Sequence, residues 1–146
     1  MAKRSKLNIL YKSVKPNPAL DLLALGTLRK LISLEKTQFN ELNLLFCSDT
    51  FIKGLNVSFR GKNKPTDILT FYYETGRRTG LTGDIALSLQ TARRQAKELG
   101  NTLETELKVL LVHGFYHLLG FDHIADTEHK LMKSKETRAF KLLKLT

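Results

Sequence analysis

Three of the four histidines in this 146-residue sequence lie within a span of eleven residues near its end. His113 and His117 are four residues apart, so in a helix they lie one turn from each other on the same face. Gly120 follows them, and a glycine can adopt the left-handed conformation that ends a helix and turns the chain. After that turn, His123 can return to the other two rings. The spacing predicts a helix whose end brings three imidazoles to one point.

The residues that precede these histidines support the helix. Asn101 is a suitable N-cap, and Glu104 follows three residues later, as in a capping box. An apolar run then leads to His113, and its members are Leu107, Leu110 and Leu111. We therefore expect a helix that begins after Asn101 and stops at Gly120.

Three neutral imidazoles and one open coordination position describe a catalytic zinc site. A structural zinc usually has four protein ligands, often including cysteine, and the single cysteine, Cys47, lies far away in an apolar run. The pattern therefore favours one catalytic zinc ion per chain, with His113, His117 and His123 as ligands. The alternative is a chance or purely structural group of histidines. The fourth, His129, is interpreted as an exposed helix residue.

The formal charge of +10 and the pI near 9.8 fit a polyanionic partner. Lysine and arginine side chains that face phosphates release condensed counterions and need no sequence readout to bind. Residues 53–78 carry six basic side chains and only two acidic ones. A basic surface that binds nothing is the alternative, so charge alone leaves an RNA partner open.

The remaining bulk features predict one domain over residues 1–146, because the length suffices for a core without disulfides. A lone cysteine excludes a disulfide framework and indicates a reducing compartment. We find no apolar segment of the length of a signal peptide or a membrane span. These features predict a cytoplasmic protein, and they give no indication of its oligomeric state.

Periodicity predicts an α+β domain with one small sheet and helices packed on it. The predicted strands cover residues 6–14, 41–47, 68–73 and 82–87, and the predicted helices cover 17–33, 51–55, 88–99, 101–120 and 127–144. Residues 74–80 are interpreted as a hairpin loop, and 61–65 as an exposed polar loop next to Arg60. Cys47 is interpreted as a small buried hydrophobic residue.

Gly114 bears on the chemistry of the proposed metal site. A bound zinc lowers the pKa of its water to about 7, which serves hydrolysis of peptides or of phosphodiesters. In His-Glu-x-x-His peptidases, the residue after the first histidine is the glutamate base, and here it is a glycine. Glycine inside a helix costs about 1 kcal/mol relative to alanine. Its presence predicts that another segment or the substrate passes close to the backbone there.

The histidine motif, with Gly114, Leu118, Gly120 and Asp122 between its ligands, resembles the signature of the bacterial YbeY family. Residues 55–71, which include the run RGKNKPTDILTF, resemble a second block of that family. Residues 83–88 resemble a third block. The matching blocks run in family order from about residue 42 to residue 136, which is most of the chain.

This resemblance implies a zinc-dependent, single-strand-specific endoribonuclease that acts in ribosomal RNA processing and late ribosome maturation and quality control. It also implies a mixed sheet, a zincin-like fold, and a position for Arg60 close to the zinc. Arg60 is therefore the candidate catalytic residue, because a guanidinium binds two phosphate oxygens at once and stabilises developing charge. Asn56, Thr66 and Asp67 are expected to cap, turn or orient, and Asp122 could fix a histidine tautomer.

The expected partners are RNA, namely ribosomal RNA precursors and the ribosome, together with ribosomal or assembly proteins. Two other functions remain open on the residues alone. One is a zinc-dependent hydrolase of another substrate, such as a peptide, on the same metal. The other is a non-catalytic ribosome-assembly factor in which zinc only holds the fold.

Overall fold

The computed structural model describes residues 5–74, 81–121 and 126–145, and within them four strands form one sheet. The strands are β1 (Lys6–Lys12), β2 (Phe39–Cys47), β3 (Ile68–Glu74) and β4 (Leu81–Ser88), and their order is β1-β2-β4-β3. β2 pairs in parallel with both β1 and β4, whereas β3 pairs antiparallel with β4 at one edge. The mixed sheet implied by the family resemblance is confirmed.

Five helices complete the described part of the chain. They are α1 (Pro18–Leu34), α2 (Asp49–Arg60), α3 (Leu89–Leu99), α4 (Leu103–Leu118) and α5 (Asp126–Leu142). Four of them begin after a side chain that accepts a hydrogen bond from the first turn, and these N-caps are Asn17, Ser48, Ser88 and Thr102. Strands and helices together give the predicted α+β class.

The two faces of the sheet are covered by different helices, because successive side chains of a strand point to opposite faces. On β2, Leu42, Leu44 and Phe46 are fully buried in the main core, to which α1, α3, α4 and α5 contribute. Cys47 belongs instead to a smaller cluster on the other face, with Ile52 of α2. Burying one large apolar side chain contributes about 1.5 to 3 kcal/mol, so the main core holds α4 firmly on the sheet.

The prediction for the end of α2 was wrong, since this helix continues past residue 55 to Arg60. The buried Asn56 side chain donates a hydrogen bond to the Lys64 carbonyl at 2.9 Å, which satisfies a polar group that would otherwise disfavour the helix. Gly61, with φ of +66°, then ends the helix, and its N–H donates to the Val57 carbonyl. Arg60 is therefore the last residue of a helix and remains exposed.

The predicted start of α4 was also wrong, because Thr102 and not Asn101 is its N-cap. The Thr102 hydroxyl accepts a hydrogen bond from the Thr105 N–H at 3.1 Å. The Asn101 N–H donates instead to the Ala96 carbonyl at 2.8 Å, so Asn101 closes the end of α3. The predicted stop at Gly120 is confirmed: α4 ends at Leu118, and Gly120 has a φ of +91°.

Smaller differences concern the ends of other elements. β1 ends at Lys12 and not at residue 14, because Ser13 has a φ of +63°, outside the extended region. Residues 75–80 of the predicted hairpin loop lie outside the described residues, while the antiparallel pairing of β3 with β4 on both sides of it is observed. No helix in the described part of the chain is long and apolar enough to cross a membrane.

Cys47, at the end of the central strand β2, is fully buried, as predicted. Its Sγ donates to the Leu87 carbonyl oxygen of β4 at 3.6 Å. Burial, and secondly the nearby charge of Asp49, raises the pKa of the Cys47 thiol to about 12. The thiol therefore stays protonated at neutral pH and acts as an apolar side chain between two strands.

Candidate active site

His113 and His117 lie in the last two turns of α4, on the side that faces β3 and α2. Their Nε2 atoms are 3.0 Å apart, and both rings are half-buried. Two ligand nitrogens on one tetrahedral zinc, at the usual bond lengths, stand about 3.4 Å apart. The observed distance suits two ligands of one ion, and it also suits a hydrogen bond between the rings. The predicted convergence of these two imidazoles is confirmed.

Glu136 of α5 lies behind His113, with its Oε2 atom 3.2 Å from His113 Nδ1. A carboxylate accepts hydrogen bonds, so Nδ1 is the ring atom that carries the hydrogen in this contact. In a neutral ring, Nε2 is then the nitrogen with the lone pair, and it lies 3.0 Å from His117 Nε2. A carboxylate behind a histidine is the usual partner that fixes the ring of a metal ligand.

Sequence reasoning missed Glu136, although the sequence does contain a signal. Glu136 shares its helix face with Met132 and Ala139, both of which are buried. A carboxylate at such an apolar position needs a partner, because burial of an unpaired charge is costly. An acidic residue at a buried position of an amphipathic helix therefore indicates a specific contact.

Arg60 shares a cavity of about 410 Å³ with the two histidines. The residues that line this pocket, called here the histidine pocket, are Arg60, Asp67, Ile68, Thr70, His113, Gly114 and His117. Spacing along the sequence could not place Arg60 there, and only the family resemblance implied it. The structure brings Arg60, His113 and His117 together.

The placement of Arg60 follows from the way α2 is anchored at its other end. The Asp49 carboxylate, in the first turn of α2, accepts hydrogen bonds from Ser88 and Thr91 at 2.6 Å each and pairs with Arg94 at 2.9 Å. Burial of this carboxyl opposes its ionisation, but these contacts outweigh it and lower the pKa of Asp49. The charged carboxylate therefore ties the start of α2 to the start of α3, so that α2 points toward the histidine pocket.

Gly114 lies where α4 packs closely against β3. A Cβ atom at this position would lie 2.7 Å from Cδ1 of Ile68 and 3.3 Å from Cγ2 of Thr70. The sequence left open whether another segment or the substrate approaches this glycine, and the structure shows a segment, β3. The close approach brings the edge strand directly alongside the histidines.

Asp67 lies at the start of β3 and lines the same pocket. One carboxylate oxygen accepts a hydrogen bond from the Ile68 N–H at 2.7 Å, and the other accepts one from Gln95 at 3.3 Å. Its carbonyl accepts the Ser88 N–H. These bonds fit the predicted orienting role. Thr66 adds a hydroxyl contact of 3.4 Å to the same carboxylate.

Glu106 of α4 is a buried acid near Asp67. The residue is only 4% exposed, and its Oε2 atom has no hydrogen-bond partner among the residues that the structure describes. Burial, and secondly the charge of Asp67, raises the pKa of the Glu106 carboxyl. Both effects disfavour the charged form of this buried carboxyl.

His123 and Asp122 lie outside the described residues, so the third ligand and the proposed tautomer partner stay predictions. Within residues 5–74, 81–121 and 126–145, no group of three His, Cys, Asp or Glu side chains is arranged to hold a metal ion. His129 lies on the exposed side of α5, as predicted.

The fold and this pocket define a class: an α+β protein with a His-x3-His helix packed against the edge strand of a mixed sheet, beside an arginine. The family model described as Endoribonuclease YbeY matches residues 16–144. The chain belongs to the YbeY family, as the motifs predicted.

Individual relatives agree with this assignment. The Endoribonuclease YbeY of Pelotomaculum thermopropionicum is 42% identical over 112 residues, which are 73% of this chain and 74% of the relative. That of Sinorhizobium medicae is 44% identical over 110 residues, 73% of this chain and 66% of the relative. The solution structure of TM1509 from Thermotoga maritima superposes with a TM-score of 0.60 at 26% identity and covers 94% of this chain and 91% of that one.

Proposed function

We propose that this chain is a zinc-dependent endoribonuclease that cleaves single-stranded RNA in ribosomal RNA processing. The observation that carries the proposal is the pocket in which two imidazole Nε2 atoms, 3.0 Å apart, face a cavity that an arginine also lines. The relatives, which are named endoribonucleases, support the reaction class. Late ribosome maturation and quality control, contacts with ribosomal or assembly proteins, and a cytoplasmic location belong to the same proposal.

His113, His117 and His123 would hold the zinc ion. The donor set fits this ion, because neutral imidazole is a preferred ligand of zinc, and Glu136 leaves His113 Nε2 as the lone-pair atom. When bound, zinc supplies a Lewis acid and water of lowered pKa. A catalytic site needs only three protein ligands, so the proposed set leaves a position open for water or substrate.

Arg60 binds the phosphate of the RNA in this proposal. Its guanidinium can donate two parallel hydrogen bonds to phosphate oxygens and can stabilise the charge that develops on them. Arg60 is exposed and forms no ion pair with a carboxylate in the described part of the chain, so its donors remain available.

Gly114 and the charges near the pocket favour RNA over a peptide as substrate. The glutamate base of His-Glu-x-x-His peptidases is replaced by Gly114, which removes the group that would activate water for peptide hydrolysis. The exposed cations Lys53, Lys62 and Lys64 lie on α2 and on the loop that follows it. A polyanion gains from such a cluster through counterion release, whereas a neutral peptide does not.

Zinc content and RNA cleavage, measured on the same preparations, test the proposal. We expect about one zinc per chain in the wild type, loss of zinc and of cleavage in His117→Ala, and retention of both in the matched control His129→Ala. Single-stranded RNA, duplex RNA and casein serve as substrates. Full zinc occupancy in His117→Ala would remove the ligand set. Zinc binding without cleavage would favour the assembly factor with a structural metal, and cleavage of casein alone would favour a peptidase.

A further inference from the structure

A second cavity, of about 340 Å³, lies on the other side of β3 from the histidine pocket, between the sheet and α2. It is called here the apolar cavity, and the residues of α2 and β3 that line it are Phe51, Leu55, Phe59, Phe71 and Tyr73. Asn43 and Asp84, which are hydrogen-bonded to each other at 2.9 Å, add a polar floor. The apolar cavity thus combines aromatic walls with hydrogen-bonding groups.

Phe59 lines the apolar cavity and is 64% exposed, so it stands at the mouth of this cavity. Its ring centroid lies 5.0 Å from that of Phe71, so packing against β3 fixes the orientation of the ring. The remaining surface of the ring faces solvent. An oriented aromatic ring of this kind offers a flat apolar platform to a planar ligand.

Phe59 is also the residue directly before Arg60. Consecutive Cα atoms are about 3.8 Å apart, so the platform adjoins the residue that lines the histidine pocket. The two cavities adjoin across β3 as well, since Thr70 lines the histidine pocket and the next residue, Phe71, lines the apolar cavity. Because β3 is an edge strand, one extended ligand can reach both cavities around the edge of the sheet.

The charges around this edge indicate a polyanionic occupant. Lys53, Arg60, Lys62 and Lys64 are exposed, and none of them pairs with a carboxylate in residues 5–74, 81–121 or 126–145. Aromatic platforms within a basic groove are the common way to bind single-stranded nucleic acid, since every base has a face that can stack. A ligand with phosphates and planar rings matches both features, while an apolar peptide matches only the cavity.

We propose that the nucleobase next to the phosphate at Arg60 stacks on Phe59 at the mouth of the apolar cavity. The inference rests on the proposed function, because it assumes that single-stranded RNA occupies the histidine pocket. Stacking needs an unpaired base, so this platform would favour single strands over duplexes. It would add affinity with little preference among the four bases.

Binding of labelled single-stranded RNA oligonucleotides, measured by fluorescence anisotropy on the purified full chain, tests the inference. One oligonucleotide is intact, and each of the others lacks a single base at a different position. All of them are short enough to bind in only one register, and for wild type we expect one position at which removal of the base weakens binding by about tenfold or more. Phe59→Ala should bind the intact oligonucleotide equally weakly and should no longer respond to that removal.

Three further variants distinguish the loss of base stacking on Phe59 from the loss of its packing against Phe71. Phe59→Tyr keeps a planar ring and should bind like wild type, whereas Phe59→Leu keeps apolar bulk against Phe71 and should bind as weakly as Phe59→Ala. Leu22→Ala, which changes an exposed leucine of α1, should bind like wild type. Melting temperatures identify any variant that fails to fold, and the base-removal series in wild type needs no substitution.

The outcomes distinguish this inference from the function on which it rests. Wild type that binds no RNA would contradict the proposed function itself. RNA binding by wild type that is unaffected by removal of any base, or by Phe59→Leu, would overturn the stacking site alone. Unchanged RNA affinity in Phe59→Ala would also overturn the stacking site, and binding of a partner protein at the apolar cavity in place of RNA would then explain the exposed ring.

Discussion

The two sides of α4 differ in how their charges are satisfied. On the side toward α1 and α5, called here the packed side, Tyr116 and Glu35 belong to a hydrogen-bonded ion cluster. On the side toward β3 and α2, called here the pocket side, Arg60 has no carboxylate partner in the described part of the chain. The difference separates residues that stabilise the fold from residues whose charge is available to a ligand.

Glu35 is the centre of the cluster on the packed side. Its carboxylate accepts hydrogen bonds from Tyr116 at 2.8 Å, Lys135 at 2.9 Å and Arg138 at 2.6 Å. Burial opposes ionisation of this carboxyl, but the three donors outweigh it and lower the pKa of Glu35. The end of α1 is thereby joined to both α4 and α5, and α5 carries the Glu136 that contacts His113.

The largest effect is expected on the pocket side, from Arg60→Ala. If Arg60 stabilises transition-state charge, RNA cleavage should fall by two or more orders of magnitude, corresponding to roughly 3 to 4 kcal/mol. Zinc content and melting temperature should stay nearly unchanged, because Arg60 is exposed at a helix end. Single-turnover assays measure the chemical step.

Arg60→Lys should restore only part of this activity, because an ammonium lacks the planar geometry for two parallel hydrogen bonds. Arg93→Ala, at an exposed arginine of α3, is the matched control and should cleave RNA like wild type. Equal losses of binding and cleavage in Arg60→Ala would assign Arg60 to RNA holding and not to the transition state.

On the packed side, Glu35→Gln should act on stability and leave the chemistry alone. Loss of the charged acceptor should lower the free energy of unfolding by about 2 kcal/mol, the range for hydrogen bonds to a charged group. The partly exposed Lys135 and Arg138 can turn to solvent, which keeps the loss from being larger. Urea unfolding measures it, with Glu98→Gln, at an exposed site, as control. An unchanged unfolding midpoint would contradict the role of the cluster.

The same carboxylate gives a pH dependence. The pKa of Glu35 is lowered in the folded state, so its contribution is present above the unfolded value, about 4.3, and is lost as pH falls through the lower folded value. The difference in unfolding free energy between wild type and Glu35→Gln should therefore be constant near neutral pH and shrink below about pH 4. If this difference in unfolding free energy grew on acidification, the charged carboxylate would be destabilising, which is the opposite of the proposed interaction.

Glu136→Gln changes a residue of α5, a helix of the packed side, that contacts His113 on the pocket side. Because Glu136 contacts Nδ1 of the proposed ligand His113, zinc affinity should fall about 10- to 100-fold, the usual effect of removing such a partner. Competition with a chelating dye measures the affinity. Glu128→Gln, at an exposed position of the same helix, should bind zinc like wild type. Unchanged affinity in Glu136→Gln would show that the contact does not orient a ligand.

The smallest effect is expected from Gly114→Ala. Alanine favours the helix by about 1 kcal/mol, but its Cβ meets Ile68 Cδ1 at 2.7 Å, and overpacking costs about 1 to 3 kcal/mol. We expect a net destabilisation of about 1 kcal/mol in urea unfolding. Adding Ile68→Val, which removes Cδ1, should restore part of it. A more stable Gly114→Ala would show that β3 moves aside without cost.

Much of the fold could be predicted because local signals agreed with the final packing. Asn17 before Pro18 marked the start of α1, and the alternation of Leu42, Leu44 and Phe46 marked the central strand. The errors arose where a distant or neighbouring group changed the local preference. The Lys64 carbonyl accepts a hydrogen bond from Asn56 and so lets α2 continue. Helix propensity alone does not predict this interaction.

The candidate site could be predicted only in part, for a similar reason. The spacing of His113 and His117 fixes their convergence within one helix. Arg60 and Glu136 reach the same place only through tertiary packing of α2 and α5, which no periodicity describes. The family resemblance implied the place of Arg60 but gave no indication of Glu136.

The buried thiol of Cys47 allows local opening of the fold to be measured. Only a thiolate reacts with alkylating reagents, and this thiol is both fully buried and held protonated by a pKa of about 12. It is the single cysteine of the sequence, so any labelling of the native protein must proceed through an opening that exposes it, either of α2 from the sheet or of β2 from its neighbours. The labelling rate, compared with that of the unfolded chain, thus gives the free energy of the opening that exposes this end of β2, without altering a single residue.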